Sequence, residues 1–288
     1  LTIASPSGSL ELAGVISNAG TINIQDDASL VQTGSGSNVN SGTYNVDREI
    51  VSADYRRFAY VSSPVSGETL GDVFPNSNTN DFSAYDPNTQ AWVSQGAATA
   101  LTPGRGYATT PETNSTGGSL VQVTETATYS GTSINNGNIT YTAGNVGVSL
   151  GNVGADPDTG FVLAGNPYPS AIGAAHFLQL NTRFEGTIWF WDGNSSNISN
   201  SDYATLTPGT GSTVAYAGGD QPDTVITVGQ AFMLATTTTG SSADVDFTNN
   251  LRISGKNTQF FKTQNETRER FWVRMTSDSG AYNQVLIA

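Results

Sequence analysis

His176 is the one histidine of this 288-residue chain, and it lies in an apolar stretch, AAHFLQL. A hydrolytic triad needs a nucleophile, a base and an orienting group within hydrogen-bond reach. No Gly-x-Ser-x-Gly elbow accompanies His176, so a packed or capping role is expected for it. A single histidine and no cysteine exclude multi-histidine and zinc-thiolate sites and a cysteine nucleophile. Glycosidases need two carboxylates facing one cleft, and no pair is marked by spacing, since Glu112, Glu125 and Glu185 stand singly in polar surroundings. Gly104-Arg-Gly106 reads as a turn and a strand start, not a phosphate loop.

Two other chemistries have candidate residues. Hard oxygen ligands for calcium occur in Asp26-Asp27, Asp156-Pro-Asp158, Asp192-Gly-Asn194 and Asp244-Val-Asp246, although none forms an EF-hand loop. Asp156 and Asp158, in a long loop, are the first choice for such a site; no other cofactor is implied. Aromatic residues offer flat surfaces for sugar rings: Trp92, Tyr168 and Tyr203 are the candidate contacts. Trp189 and Trp191 share one strand face by the period of two and are expected in a core. Asp223-Thr224-Val225 resembles a short O-glycosylation motif.

The elements that must carry these residues are strands. Charged residues make up 12% of the chain and hydrophobic ones 36%. Thr, Ser, Asn and Gly fill the gaps between short Val, Ile, Leu, Tyr and Phe runs, which suits strands and turns. The net charge of −13 repels phosphate backbones and anionic lipid, so neither nucleic-acid binding nor membrane insertion is expected. No apolar run reaches the length of a membrane span. Leu1 opens in a strand-like pattern, so the chain is expected to begin inside a longer precursor.

Residues 1–46 carry a short period. GSLEL returns as ASLVQ with Leu10 and Leu30 twenty apart, and GTINI returns as GTYNV twenty-two apart. This predicts β-solenoid coils, with two ordinary hairpins as the alternative. Beyond residue 46 a longer repeat begins. FAYVSSPVS aligns with FVLAGNPYP, setting Pro64 on Pro167; AYDPNTQAWV aligns with FWDGNSSNIS; LTPGRGYATT aligns with ITVGQAFMLATT; ATYSGT aligns with VDFTNN. Four matches in one order predict a duplication. Prolines cannot donate to a ladder, so they mark where strands leave a sheet. Only SAIGAAHFLQL (170–180) has helical spacing. The chain is therefore read as all-β: solenoid-like coils at 1–46, a first β-sandwich unit at 47–155, a second at 156–262, and at 263–288 a strand pair leading to a further module.

The order of RRFAYVSSPVSG, AYDPNTQAWV, PGRGYATT, LAGNPYPSAI, IWFWDG, VGQAFMLAT, DFTNNLRI and RMTSDSGAYNQVLIA resembles secreted multidomain surface proteins of the Bacteroidetes group over residues 47–288. That resemblance implies an extracellular or cell-surface location, export by the type IX secretion machinery, and a sorting domain following residue 288. The expected function is a non-catalytic structural and adhesive module touching surface glycans or other surface proteins. A carbohydrate-binding module of a polysaccharide-degrading enzyme is the first alternative, and a glycoside hydrolase or lyase with an unmarked carboxylate site is the second.

Overall fold

Short alternating runs broken by Gly, Asn and Ser turns give strands too short to hold together except by stacking. The computed structural model describes residues 1–52, 58–77, 81–110, 123–147, 160–192, 203–214, 221–237, 239–257, 271–276 and 282–287. Its first strands are β1 (Thr2–Ile3), β2 (Ser9–Leu12), β3 (Ser17–Asn18), β4 (Thr21–Ile24), β5 (Ser29–Gln32), β6 (Val39–Asn40) and β7 (Thr43–Ser52). They pair in parallel at the spacings read in the sequence. Leu10 lies over Leu30 in β2–β5, and Thr21, Ile22, Asn23 and Ile24 lie over Thr43, Tyr44, Asn45 and Val46 in β4–β7. Like side chains meet across this stack: Asn45 Nδ2 donates to Asn23 Oδ1 at 2.9 Å.

The stack has no core of its own. Ile22, Ile24 and Leu30 share one buried cluster with Val61, Leu70, Phe74 and Tyr129. The boundary expected at 46/47 falls inside β7, which is parallel to β4 on one side and antiparallel to β13 (Val123–Gly131) on the other. Facing this sheet across the cluster is a second one, in the order β11 (Ala91–Ser94), β10 (Ser83–Asp86), β12 (Tyr107–Thr109), β8 (Ala59–Val61). β9 (Val65–Ser66) pairs with β14 (Ser133–Ile134), and α1 (Leu70–Val73) follows β9. α1 has a capping box between Thr69 and Asp72.

The second group of strands repeats these pairings. β15 (Ile139–Asn145) pairs with β23 (Ser242–Phe247), so this group starts before the boundary expected at 155/156. β16 (Phe161–Gly165), β22 (Ala231–Thr236), β18 (Phe184–Trp191), β19 (Tyr203–Thr207) and β20 (Ser212–Val214) form a five-stranded sheet. β17 (Ala171–Gly173) lies between β21 (Val225–Ile226) and β24 (Arg252–Ile253), and α2 (Ala174–Leu180) follows β17. The registers correspond residue by residue. Tyr107 pairs with Val61 and Phe232 with Ala164; Ser83 pairs with Ala108 and Trp189 with Met233; Tyr85 pairs with Trp92 and Trp191 with Tyr203. The two proline endings correspond as well. Ser63 Oγ accepts the Val65 N–H at 3.1 Å, and Asn166 Oδ1 accepts the Tyr168 N–H at 3.0 Å. Each side chain thereby closes a turn around its proline. Further along, β25 (Phe271–Thr276) and β26 (Tyr282–Ile287) form an antiparallel pair.

The two groups clasp each other reciprocally. Arg105 bridges to Ala164, and Gln230 bridges to Val61. Gly104 carries φ +81° and a Cβ there would lie 3.0 Å from the Phe247 ring, while Gly229 carries φ +70° and faces the Tyr129 ring at 3.4 Å. Only glycine adopts this backbone without strain and leaves room for the ring. Such exchange of equivalent contacts is the pattern of a self-complementary two-fold interface, here within one chain.

A polar seam ties the coil stack to both groups. Arg252, 6% exposed, donates to Leu30 O (2.5 Å), Asn136 Oδ1 (2.9 Å), Asn249 Oδ1 (3.3 Å) and Ser170 Oγ (3.2 Å). Its guanidinium lies 4.9 Å from the centre of the Tyr168 ring, and burial lowers its pKa to about 10. Asn257 Nδ2 donates to Ala28 O at 2.8 Å, and the Asn257 carbonyl accepts from the Arg48 guanidinium at 2.9 Å. Arg48 also forms ion pairs with Asp26 (3.1 Å) and Asp27 (3.3 Å).

Glu68 is a carboxylate whose titration the fold perturbs strongly. It is buried, accepts hydrogen bonds from Ser63 Oγ and the Ser130 N–H, and has its pKa raised to about 7, first by burial. Between the ordinary carboxyl value of 4.5 and about pH 7, the folded chain retains a proton that the unfolded chain has released. Stability therefore falls as pH rises through this window and levels off above it. Glu68→Gln is expected to flatten that part of the profile, measured as the urea midpoint at pH 5 and pH 8; an unchanged slope refutes the assignment.

Candidate functional site: an aromatic groove

Strand alternation decides which rings reach the surface. In β18, Ile188 and Phe190 point into the core of the second group, while Trp189 and Trp191 point to the opposite face and are half-buried. The core position expected for the two tryptophans is met in part, since they pack half-buried against a smaller cluster of Tyr60, Tyr85, Leu163 and Met233. They do share a face, but it is the other one, because the β16–β22–β18 sheet packs apolar side chains on both sides. Phe232 and Leu234 serve one side of β22, and Ala231 and Met233 the other.

On that outer face the two groups pool their rings. Tyr60 stacks on Trp191 with centroids 5.6 Å apart and planes 19° off parallel. Tyr203 meets Trp191 nearly edge-on at 5.2 Å, and its hydroxyl shares a 2.8 Å hydrogen bond with that of Tyr60. Trp92 lies 5.3 Å from Tyr60 and 5.4 Å from Tyr85, and Phe161 meets the edge of Trp189 at 6.1 Å. Reciprocal anchors fix the rings: Trp191 Nε1 donates to Phe58 O at 2.8 Å, and Gln90 exchanges two hydrogen bonds with the Phe161 backbone (2.7 and 3.0 Å). Aromatic pairs at these separations add about 0.5–1.5 kcal/mol each beyond area burial.

Two hollows result. One of about 470 Å³ is lined by Tyr85, Trp92, Phe161, Trp189 and Tyr203 with Thr205 and Met233. The other, of about 400 Å³, is lined by Phe58, Tyr60, Trp92, Trp191 and Tyr203 with Ser83 and Ala108. Trp92 and Tyr203 border both, so the hollows form one groove. Trp92 is 42% exposed. No charged side chain is among the described residues lining either hollow. Burial raises the phenol pKa of Tyr60, Tyr203 and Tyr85, the last to about 12, so all three hydroxyls stay neutral at physiological pH. The groove thus offers ring faces, neutral hydroxyls and the Thr205 and Ser83 side chains.

The remaining sequence candidates lie elsewhere. Tyr168 is fully buried, donates its hydroxyl to Gly137 O at 2.6 Å and sits under Arg252, so it is a core anchor and no ligand contact. Its polar tip and apolar body suited either role in sequence; the Asn166 turn directs it inward. Asp156, Asp158 and Glu112 lie outside the described residues. Among the described residues no three His, Asp or Glu side chains converge as metal ligands. Asp246 accepts from Thr140 Oγ1 at 2.7 Å and Asp86 from the Asn88 N–H at 2.9 Å, both structural contacts. His176 is exposed on α2, where a packed or capping position was expected. The side chain falls on the solvent side because Ala174 and Phe177 take the buried one. Thr224 of the glycosylation motif is exposed, and its hydroxyl donates to Asp223 Oδ1 at 3.1 Å. Glu68 lines neither hollow. Sequence reasoning missed Tyr60, Tyr85 and Phe161 as groove residues; the corresponding register, which sets Tyr85 on Trp191 and Trp92 on Tyr203, was the signal that could have found Tyr85.

Fold and site together define an all-β chain whose strand groups present an aromatic groove lined, among the described residues, by uncharged side chains. The family described as "Domain of unknown function (DUF8693)" matches residues 1–288, and the chain belongs to that family. No curated protein and no solved structure matches it.

Proposed function

We propose that this chain is a non-catalytic, extracellular structural and adhesive module of a larger surface protein exported by the type IX route, and that it adheres through the aromatic groove to neutral carbohydrate. The observation that carries the reading is the pair of hollows joined at Trp92 and Tyr203 on one sheet face. Concave, largely apolar sites with a few polar groups are the usual form of small-ligand sites. Flat rings can pack on the CH faces of sugar rings, while Thr205, Ser83 and the phenols accept or donate hydrogen bonds to hydroxyls. Rings already held by Phe58 O and Gln90 lose little freedom on binding. The coil stack, sharing its core with the first group, serves as a stiff spacer, and the matching registers support a duplication of one strand scaffold. Among the described residues lining the hollows there is no carboxylate to act as general acid for glycoside cleavage, which favours binding over turnover.

Screening the chain on a glycan array, then titrating the best neutral oligosaccharide calorimetrically, tests this. Trp92→Ala is expected to weaken binding by about tenfold or more, roughly 1.4 kcal/mol, with an unchanged Tm. An array without hits, or hits indifferent to Trp92→Ala and Tyr203→Ala, removes the carbohydrate reading. Release of reducing ends by the chain alone would overturn the non-catalytic one.

A further inference from the structure

β11 and β19 occupy the same place in their groups, each the hairpin partner of the strand that carries Tyr85 or Trp191. Their outer sides differ. β19 is covered by β20, with Thr205 paired to Val214, Leu206 to Thr213 and Thr207 to Ser212. Among the described residues, β11 has β10 as its sole partner and ends its sheet.

The chain path explains the difference. After β19, a turn closed by Thr210 N–H to Thr207 O sends the chain back alongside as β20. After β11 the chain leaves the sheet for α1, where the Gly71 N–H donates to Ala97 O at 2.8 Å and the Leu70 N–H to Thr99 O at 2.9 Å. The Gln95 N–H points inward to Phe82 O at 2.7 Å. By the alternation of an antiparallel strand, the N–H and C=O groups of Trp92 and Ser94 point outward.

All four residues of β11, Ala-Trp-Val-Ser, are exposed, with Val93 at 44%. None is charged. Natural edges are normally blunted by charge, proline or a covering segment, and β11 has none of these among the described residues.

We propose that β11 is a strand-accepting edge that takes one extended, uncharged segment of a partner protein, antiparallel, in the position β20 holds on β19. β20 itself, Ser-Thr-Val, shows the chemistry that fits: main-chain hydrogen bonds with small and β-branched side chains. The net charge of −13 opposes a second copy of this chain as the occupant. This edge uses the main chain of Trp92, whose ring lines the groove, and needs no sugar to be filled.

The probe is a fluorescein-labelled synthetic peptide copying residues 209–216 (GTGSTVAY), followed by fluorescence anisotropy against the full chain. Binding is expected, with slowed amide hydrogen exchange at Trp92 and Ser94. Ser94→Pro removes an outward N–H without touching an inward one, as edge strands tolerate, and is expected to weaken binding about tenfold; Ser94→Ala is expected to bind as the parent does. Absence of binding, or binding without protection at Trp92 and Ser94, overturns the proposal, and this exchange measurement on the parent chain needs no variant. Concentration-dependent self-association lost in Ser94→Pro would assign the edge to a second copy and equally overturn it. Groove variants such as Tyr203→Ala leave this edge intact, so the two sites fail or succeed separately.

Discussion

Arg252→Ala is expected to lower the unfolding free energy by about 4 kcal/mol, because it strands buried acceptors and removes a packed cation together. Leu30 O, Asn136 Oδ1, Asn249 Oδ1 and Ser170 Oγ all take hydrogen bonds from this one side chain. Asn136 Oδ1 keeps the bond from Asn249 Nδ2 and Asn249 Oδ1 that from the Gly137 N–H, so the loss falls chiefly on Leu30 O of the coil stack and Ser170 Oγ of the second group. For a chain of this size the change corresponds to a fall in Tm of roughly 8–16 °C, measurable by calorimetry. Arg252→Met separates the causes. It restores much of the volume above the Tyr168 ring but none of the donors, so it should recover only a minor part of the loss. A full recovery with methionine would show that packing, not the hydrogen-bonded seam, holds the coils in place.

The second large effect is expected at the centre of the clasp. A Cβ on Gly165 would lie 2.3 Å from Ser62 Cβ and 2.7 Å from Ser62 Oγ. Ser62 and Gly165 are equivalent positions in the two groups, so this contact sits where the two halves of the chain meet themselves. The space around it is fixed by backbone pairing. The Gly165 N–H donates to Gly104 O at 3.0 Å and the Ser62 N–H to Gly229 O at 2.9 Å. Gly165→Ala is expected to cost about 2–3 kcal/mol, as overpacking of a tight interior does. Ser62→Gly alone loses the Oγ bond to Asn166 O (2.8 Å) and should cost about 1 kcal/mol. Combined, the two substitutions should cost less than their sum by at least about 1 kcal/mol, a coupling read from a double-mutant cycle in urea. Strict additivity would mean that the halves part and re-seat freely. The clasp also sets the groove, since Trp191 and Phe58, or Gln90 and Phe161, come from opposite sides of it. Gly165→Ala is accordingly expected to shift tryptophan emission even where the chain stays folded.

Much of this was readable in the primary structure. The spacings of GSLEL to ASLVQ and GTINI to GTYNV are the parallel registers themselves, because stacking places each residue above its counterpart one coil earlier. The proline-centred matches likewise fall on corresponding turns, since Ser63 and Asn166 both accept an N–H two residues on. Strand identity followed from short apolar runs and turn residues, which are local properties. The candidate site was only partly legible. Trp92 and Tyr203 were named as candidate contacts and line the hollows, but Tyr168 looked the same as either and lies at the centre of a core.

Periodicity gives the side chains that share a face, and the primary structure by itself determined that: all-β content, coil spacing, paired turns, Trp189 beside Trp191. It cannot say which face meets which neighbour. Only the tertiary structure decided that the Trp189–Trp191 face is the outer one, that Tyr60 and Trp191 come together from positions 60 and 191, and that β11 ends its sheet where β19 does not. The physical reason is that these outcomes depend on contacts between segments far apart in the chain. Such contacts form through loop closure and mutual packing, and the residues involved carry no local mark of the partner they will meet.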